Sequence, residues 1–401
     1  MIKKIIFIFS KFFEQKDWEI FDCDYYMEKR IEIEIWSLVK IHYQGKAKTP
    51  KYLFRDYNVK YFDELSDFKD NIRRQDCKSV IFIIYPSLGE NSRTGYIIRY
   101  FIKKSNCRYC DYFYPPVVNN SQYDFDGISS IIRYYYENIR KKDVLKQLLF
   151  SIIFPPKFIF INAYANRNMI ANKYDLLNRD RLIYINTPDY DKFLIQNEDR
   201  DLDVIRRENL MQNGYIVFLD EAHTHHSDTV NEGLSTGVTE DVYGKEIRYL
   251  FDIIESKTNM EVVIALHPKA EYIDSCMFGG RKMIHGESRV LIKYSNFVIL
   301  DYSTAVSYIM LYRKKVFLYT TNQLRKNMGG TLPPMQRWFA ELLGCRILNI
   351  SNNIPENLME KYLFCVKDAI RREYIKKYVC SRKNKEKKIS SHIIYDCIKR
   401  L

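Results

Sequence analysis

EVVIALHPKAEYIDSCMFGGRKMIHGESRVLIKYSNFVILDYSTA, residues 261–305, is the stretch from which the fold is predicted. Its first apolar run, residues 262–266, predicts a buried strand that ends at a His-Pro-Lys corner. A second apolar run, residues 297–300, ends at Asp-Tyr-Ser-Thr directly before a helical pattern. The carboxyl ends of parallel strands open onto the same edge of a sheet. We therefore expect the polar residues after both strands to converge on one anionic ligand: His267, Lys269, Ser303 and Thr304.

Apolar strands and helical patterns alternate on both sides of this stretch, which predicts parallel α/β sheets. The strands predicted in the first half are residues 3–9, 31–39, 79–85, 109–114, 157–163 and 181–186. Those predicted in the second half are residues 215–219, 262–266, 297–300 and 316–319. The strongest helical patterns are residues 96–104, 127–153, 245–256, 303–312, 335–343 and 356–378. A charged segment without strand character, residues 196–208, is interpreted as the linker between two Rossmann-like domains.

Length and charge limit the class of protein. The chain has 401 residues, 46% of them hydrophobic, which suits two domains with separate cores. Its formal net charge of +13 predicts an anionic partner: a phosphorylated substrate, an acidic glycan, a membrane surface or nucleic acid. The densest basic run, residues 371–388, is either a solvated tail or a contact with the anionic inner membrane.

The cysteines and the apolar windows predict a cytoplasmic protein. Nine cysteines are an odd number without the spacing of a disulfide framework, and no secretory signal is visible. Cys107 and Cys110 form a lone C-x-x-C, which is weak evidence for zinc without a second pair. The most apolar window, residues 148–161, is broken by Pro155, Pro156 and Lys157 and is too short to span a bilayer.

YIVFLDEAHTHHSD, residues 215–228, has three interpretations. Asp-Glu-Ala-His after an apolar strand spells the Walker B box of a DEAH helicase. That enzyme also needs a G-x-x-x-x-G-K-[ST] phosphate loop, which the sequence lacks. A second interpretation is a metal centre whose ligands would be His223, His225, His226 and Asp228. In the third, one of the carboxylates Asp220, Glu221 and Asp228 is a general base on a sugar hydroxyl, with its pKa raised in a partly closed cleft. Taken alone, the stretch also fits surface carboxylates that follow a strand.

FGGRKMIHGES, residues 278–288, offers glycines for close backbone approach to a ligand, with Arg281 as a clamp for a pyrophosphate or carboxylate. A simple glycine turn explains this piece equally well. Ser303 and Thr304 could both cap the following helix and hydrogen-bond a phosphate. Five D-x-D triplets occur, but in a chain with 50 acidic residues they do not establish a metal-dependent transferase.

The order of these motifs resembles that of bacterial surface-carbohydrate transferases, in particular the GT-B sialyltransferase and Kdo-transferase group. FLDE, H-x-D, a strand ending in His-Pro-Lys, Gly-Gly-Arg, Gly-Glu-Ser and a strand ending in Ser-Thr follow one another here. INTPDYDKFL, residues 185–194, resembles a strand-end motif of the same group. The resemblance extends over residues 1–320 and is strongest over 215–320. It implies an α/β GT-B fold, with two facing Rossmann-like domains and C-terminal helices.

The resemblance also implies roles for individual residues. Asp220 and Glu221 match the acidic motif that holds the general base, and His267 matches the histidine that contacts the departing CMP phosphate. Ser303-Thr304 match a serine-rich phosphate grip. Lys269, Gly280 and Arg281 are further nucleotide or phosphate contacts predicted from their own motifs. Residues of second rank are His226, Asp228 and Glu287. Ala222 stands where the sialyltransferase motif has glycine, and Asp301-Tyr302 precede Ser303.

The sequence therefore predicts an inverting glycosyltransferase that moves an acidic sugar from CMP to a glycan or lipid-linked glycan acceptor in capsule or O-antigen assembly. No metal, no cofactor and no nucleic-acid partner are expected. The predicted domains are 1–205 for the acceptor, 206–375 for the nucleotide sugar and 376–401 as a basic helical tail, which returns to the first domain or contacts the inner membrane. The alternatives are a CDP-polyol phosphotransferase, a non-catalytic anionic-glycan-binding protein and a metal hydrolase.

Overall fold

The computed structural model describes residues 1–43, 58–85, 93–113, 153–162, 181–210, 214–224, 237–268, 270, 276–326, 330–380 and 386–401. Contacts divide the chain into two compact units, Met1–Leu194 with Lys376–Leu401, and Ile195–Ile375. The carboxyl-terminal residues thus belong to the same unit as the amino-terminal half. Among the described residues, no helix has both the length and the apolar composition needed to cross a membrane.

The first unit contains a parallel sheet of seven strands in the order β3-β2-β1-β4-β5-β6-β7. The strands are β1 Lys4–Phe9, β2 Glu32–Ser37, β3 Val59–Tyr61, β4 Val80–Ile84, β5 Arg108–Phe113, β6 Ile159–Asn162 and β7 Leu182–Ile185. The helices are α1 Gln15–Phe21, α2 Cys23–Glu28, α3 Val39–His42, α4 Leu65–Arg73, α5 Arg93–Lys104 and α6 Pro188–Leu194. A π-helical turn, Ile375–Val379, begins at the last residue of the second unit, and the last helix, Ser390–Ile398, completes the first unit.

The two faces of this sheet are covered by separate apolar clusters. One contains Phe7, Phe9 and Tyr26 and extends to Ile394 and Ile398 of the last helix. The other surrounds Trp36, Phe68 and Phe82. Because alternate residues of a strand point to opposite faces, β1 and β4 contribute to both clusters, which is why they read as continuous apolar runs in the sequence.

The second unit repeats this strand order. Its sheet follows the path β10-β9-β8-β11-β12-β13, and all of these pairs are parallel. The strands are β8 Tyr215–Leu219, β9 Glu261–Leu266, β10 Met283–His285, β11 Phe297–Leu300, β12 Lys315–Thr320 and β13 Ile347–Asn349. A seventh strand, β14 Leu363–Phe364, pairs antiparallel with β12. The helices are α7 Glu198–Arg207, α8 Glu240–Thr258, α9 Ser288–Tyr294, α10 Val306–Leu311, α11 Asn322–Lys326, α12 Pro334–Leu343, α13 Leu358–Tyr362 and α14 Asp368–Tyr374; the last helix of the chain, Ser390–Ile398, is α15.

Three expectations about local structure change. Residues 196–208, interpreted as a linker, form α7, whose buried Asp201 pairs with Arg289 and Lys293 of α9. Residues 356–378 do not form one helical stretch, because β14 interrupts them. Helix α10 begins at Val306 rather than at residue 303. The helix expected at residues 127–153 lies outside the described residues except at its last position.

The cysteines also differ from the expectation. Cys107 is joined to Cys77 in a disulfide, with 4.5 Å between the two Cα atoms. Cys107 and Cys110 belong to the apolar clusters on opposite faces of the first sheet. The lone C-x-x-C therefore does not present two thiols to one metal ion.

Candidate active site

The candidate site lies where the strand order of the second sheet reverses. From the centre of the sheet, the strand order continues through β8, β9 and β10 to one edge and through β11, β12 and β13 to the other edge. In open parallel α/β sheets, ligands bind outside the carboxyl ends of the strands at such a switch point. Here the switch point lies between β8 and β11, so the residues following these two strands form the centre of the site.

Asp220, the first residue after β8, organises the backbone of this corner. It is 3% exposed, and its carboxylate accepts hydrogen bonds from the N–H groups of Ala222 at 3.0 Å and His267 at 3.5 Å. Ala222 is fully buried with φ of +51°, a left-handed conformation that favours glycine. Asp220 therefore holds a tight turn after β8 and links it to the end of β9.

A buried histidine and carboxylate join the two strands at the switch point. The Nε2 atom of His223 lies 2.6 Å from Oδ2 of Asp301, and their side chains are 9% and 0% exposed. Gln336 of α12 also donates to Oδ2 of Asp301, at 3.4 Å. The other oxygen, Oδ1, has no hydrogen-bond partner among the described residues. Burial alone lowers the pKa of His223, but the charge of Asp301 and the hydrogen bond to it raise that pKa above its ordinary value.

Glu221, the second residue after β8, has a strongly raised pKa. Burial raises the pKa of Glu221 well above its usual range, and the charges of Asp301 and Asp220 add to the rise. A hydrogen bond from the Ser303 hydroxyl offsets part of it. Because desolvation and like charges both oppose ionisation, the Glu221 carboxyl holds a proton more strongly than an exposed glutamate does.

His267 follows β9, one strand from Glu221. Its carbonyl accepts the N–H of Ala270 at 2.9 Å, which closes a turn through Pro268. On the far side of β9, the Nε2 atom of His285 lies 3.3 Å from the carbonyl oxygen of Pro268. Glu287 lies two residues further on, directly before α9. The strand ends of β10, β9, β8 and β11 thus bring Glu287, His267, Asp220 and Glu221 to the same edge as Ser303.

Ser303 and Thr304 differ in exposure. Ser303 is 8% exposed, and its Oγ atom accepts the N–H of Ala305 at 3.2 Å, whereas Thr304 is exposed. The residue flanking α10 is Ala305, and no side chain caps that helix. Ser303 therefore shapes a turn before α10 and donates to Glu221, while Thr304 is the hydroxyl of the two that faces solvent.

Gly280 and Arg281 lie at the other end of their strand. Both precede β10 and therefore stand near the amino end of the sheet. The Arg281 guanidinium pairs with Asp252 at 2.5 Å and Glu255 at 2.6 Å, both on α8. The structure does not bring these two residues together with His267 and Ser303.

Three further predicted residues, Lys269, His226 and Asp228, lie outside the described residues. So does His225, which belongs to the metal interpretation of this stretch. Among the residues that are described, no group of three His, Cys, Asp or Glu side chains could hold a metal ion.

His223 and Asp301 are the two members of the corner that were not predicted from the sequence to take part in sugar transfer. His223 entered only as a metal-ligand candidate, and Asp301 only as a departure from a motif. The available signal was positional, because Asp301 is the first residue after an apolar strand and His223 follows another. Recognising the pair required knowing that β8 and β11 are neighbours.

Comparisons with known proteins define the fold. No family model matches the sequence, and no curated protein matches it. The wall teichoic acid polymerase TagF, in a structure soaked with CDPG, is 14% identical; the match covers 99% of this chain and 90% of that chain, with a TM-score of 0.53. HepE from Anabaena in complex with UDP and glucose is 10% identical over 100% of both chains, with a TM-score of 0.47. MnaA from S. aureus with UDP is 12% identical; the match covers 100% of this chain and 96% of that chain, with a TM-score of 0.48.

The last two likenesses are too distant to carry an argument, and the first establishes the fold and nothing further. Two units, each with a seven-stranded sheet whose main path is parallel and ordered as in a Rossmann domain, agree with that likeness. The chain therefore has a two-domain α/β GT-B fold, as the sequence predicted.

Proposed function

We propose that this protein is an inverting transferase that takes an acidic sugar from a CMP-activated donor and passes it to a surface polysaccharide. The observation that carries the proposal is the convergence of Glu221, Ser303 and the His223–Asp301 pair at the switch point of the second sheet. The CMP-activated donor is proposed because the order of motifs in the sequence resembles that of the CMP-dependent transferases. The GT-B fold is compatible with this chemistry and with many others.

Glu221 is the proposed general base. A base that works near neutral pH needs a pKa close to the working pH, and the pKa of Glu221 is raised well above that of an exposed glutamate. Asp220 suits this role less well, because its carboxylate accepts N–H groups of the backbone. Glu221 would remove the proton from the acceptor hydroxyl as that oxygen attacks the anomeric carbon.

The His223–Asp301 pair is the proposed support for this base. Asp220, Glu221 and Asp301 are three acidic groups at one corner, so a phosphate could approach only if part of their charge is neutralised. The raised pKa of His223 favours an imidazolium, which offsets the charge of Asp301. By joining β8 to β11, the pair also fixes the distance between the base and the residues after β11.

The leaving phosphate is assigned to residues at the ends of β9 and β11. His267 and Thr304 would donate hydrogen bonds to it, and Lys269, predicted from the sequence, would add a positive charge. Donors placed where charge develops stabilise the transition state more than the ground state. Because CMP is a stable anion, the sugar–phosphate bond would break without a metal ion in this proposal.

A second donor is also compatible with the fold. TagF was studied with CDPG, and its name describes a wall teichoic acid polymerase. A CDP-activated polyol is therefore the second candidate donor, in which case the same corner would transfer a polyol phosphate. Transfer would occur in the cytoplasm, with the basic residues near the carboxyl terminus contacting the inner membrane.

The donor can be identified by measuring nucleotide release. Purified protein would be incubated with CMP-N-acetylneuraminic acid, CMP-Kdo, CDP-glycerol and UDP-N-acetylglucosamine, each with and without an acidic glycan acceptor. Acceptor-dependent release of CMP from a CMP-sugar supports the proposal. Acceptor-dependent release of CMP from CDP-glycerol, and from none of the other donors, supports the polyol alternative. A folded protein that releases neither, yet retains the acidic glycan, would instead be a non-catalytic glycan-binding protein.

A further inference from the structure

The amino edge of the first sheet carries a row of positive side chains. In a parallel sheet, the residues that lead into successive strands lie along one edge, opposite the edge where ligands usually bind. Lys78 leads into β4, Lys103 and Lys104 end the helix before β5, Lys157 leads into β6, and Arg181 leads into β7. We call these residues, together with Lys69 on α4, the basic edge.

A cavity of about 690 Å³ opens within the basic edge, beside the ends of α4 and α5. Its described lining includes the cations Lys69, Arg73, Lys78 and Lys104. Asp76 is the one carboxylate in that described lining, and its pKa is lowered by hydrogen bonds from Ser79 and Lys78. The cavity thus combines a concave shape with an excess of positive charge.

Most of these cations have no carboxylate to balance them. Within the described part of the chain, Lys69, Lys78, Lys103, Lys104 and Lys157 make no ion pair. Burial lowers the pKa of Lys103, and the neighbouring charges of Lys157 and Arg181 lower it further. Like charges held together without counterions form a binding surface for an anion.

Helix dipoles explain only part of the row. Basic residues are favoured in the last turn of a helix, and Arg73, Lys103 and Lys104 occupy such positions on α4 and α5. The dipole does not account for Lys78, Lys157 and Arg181. They lie in the segments leading into strands and not in the last turn of a described helix. The row therefore exceeds what stabilisation of the helices requires.

We propose that the basic edge and its cavity form a second binding site, which lies on the first unit and holds an anionic polysaccharide chain. From β4 to β7 the row extends over three strand spacings, or about 15 Å, a length that several charged sugar units could contact. Phe101 in the cavity wall offers an aromatic surface beside the cations. A concave site suits a flexible chain better than a flat bilayer. The inference rests on the proposed function in one respect, that the bound polysaccharide is taken to be the acceptor or product of the transfer.

Direct binding measurements test this site separately from catalysis. The probe is a fluorescent α2,8-linked oligosialic acid, with a neutral dextran of similar size for comparison. The variant is Lys78→Glu/Lys104→Glu. The matched control is Lys245→Glu/Lys257→Glu, two exposed lysines of α8 in the second unit that change the net charge equally. Each pair contains one residue in the last turn of a helix, so the effects on helix stability are comparable.

The proposal predicts that the Lys78/Lys104 variant loses about tenfold or more in affinity for oligosialic acid, whereas the control stays close to wild type. Binding of CMP by both variants should be unchanged, which separates failure of this site from failure of the proposed function. An equal loss of affinity in both variants would mean that binding depends on net charge and not on this site, and would overturn the proposal. So would wild-type protein that ignores oligosialic acid, or that binds phosphatidylglycerol vesicles through these lysines instead. If the glutamate variant does not fold, Lys78→Gln/Lys104→Gln should show the same direction of change.

Discussion

The two sheets have the same strand order but different residues at their switch points. In the first sheet, Ser10 follows β1 and Tyr85 follows β4; Tyr85 packs against Phe9, with ring centroids 5.2 Å apart. In the second sheet, Asp220 follows β8 and Asp301 follows β11. The first residue after each central strand is thus a serine or a tyrosine in the first sheet, and a buried carboxylate in the second. The two sheets share a topology, so the acid–base chemistry proposed for the second sheet depends on the residues at its strand ends and not on the fold.

The largest expected effect comes from removing the proposed base. Glu221→Gln should lower the rate of CMP release about a thousandfold, because general base catalysis typically contributes 10²–10⁴-fold. In the first sheet, the corresponding second residue after the strand is Lys11, which is paired with Asp17 at 2.6 Å. Lys11→Gln should leave the rate nearly unchanged. Steady-state kinetics with a CMP-sugar donor measure both.

The pH dependence sharpens this expectation. The wild-type rate should fall as the pH is lowered through the raised pKa of Glu221, because the protonated carboxyl cannot accept a proton. Full activity in Glu221→Gln, or an equal loss in Lys11→Gln, would remove the functional contrast between the two sheets.

Each unit also has a buried ion pair, and we expect both pairs to stabilise the fold but only the pair in the second unit to contribute to nucleotide binding. Asp301 pairs with His223, and Asp111 of β5 pairs with Arg99 of α5 at 2.7 Å, with both of the latter side chains 5% exposed. Removing one partner of a buried pair costs about 3–5 kcal/mol. Asp301→Asn and Asp111→Asn should therefore both lower the free energy of unfolding by about 3 kcal/mol.

Only Asp301→Asn should also weaken nucleotide binding. Urea unfolding and calorimetric titration of CMP, applied to both variants, separate the two effects. If Asp111→Asn weakened CMP binding as much as Asp301→Asn does, the contrast would reflect general loss of stability rather than a site in the second sheet.

The first unit uses a half-buried carboxylate for structure. Asp191, beyond β7, accepts hydrogen bonds from the Asn186 side chain at 2.7 Å and from the Ser390 N–H at the start of α15 at 3.1 Å. Burial raises the pKa of Asp191 to about 6. Folding therefore favours the protonated form, and stability should decline as the pH rises from the unfolded pKa of about 3.9 to about 6.

Asp191→Asn should remove this decline. The difference in unfolding free energy between the variant and wild type should grow by up to about 3 kcal/mol over that pH window and then stay constant. Urea titrations at pH 4.5, 5.5 and 6.5 provide the measurement. Parallel stability curves for the two proteins would show that the carboxyl ionises without a folding-dependent shift.

The smallest effect is expected at the turn after β8. Ala222 has φ of +51°, and a left-handed alanine is strained relative to glycine by about 1–2 kcal/mol, part of which the greater unfolded-state freedom of glycine offsets. Ala222→Gly should raise the free energy of unfolding by about 0.5 kcal/mol or more and leave CMP binding unchanged. A clear loss of stability would mean that the methyl group is needed for packing at this corner.

The long strands of both sheets could be predicted because buried parallel strands are continuous apolar runs. The strands that the sequence did not reveal are short ones, β3, β10, β13 and β14, with three residues or fewer. Helix α7 was mistaken for a linker because its charges look solvated. Its Asp201 is in fact buried by Arg289 and Lys293, which lie far away in the sequence.

The missed strand β10 also explains the placement of Arg281. Without that strand, Gly280 and Glu287 look like parts of one loop. With it, Gly280 and Arg281 precede the strand and Glu287 follows it, at opposite edges of the sheet. The residues after β8, β9 and β11 could be predicted from the strand ends alone. The His223–Asp301 pair could not, because local patterns do not reveal which strands are neighbours.

The proposed nucleotide site is tested most directly by calorimetric titration of CMP, CDP-glycerol, UDP and GDP into wild type, His267→Ala and a control in the first unit, His392→Ala. A CMP site at the switch point of the second sheet predicts micromolar binding of CMP, no comparable binding of UDP or GDP, loss of CMP binding in His267→Ala and retention of it in His392→Ala. Absence of cytidine nucleotide binding by the folded wild-type protein, or undiminished CMP binding in His267→Ala, would contradict it.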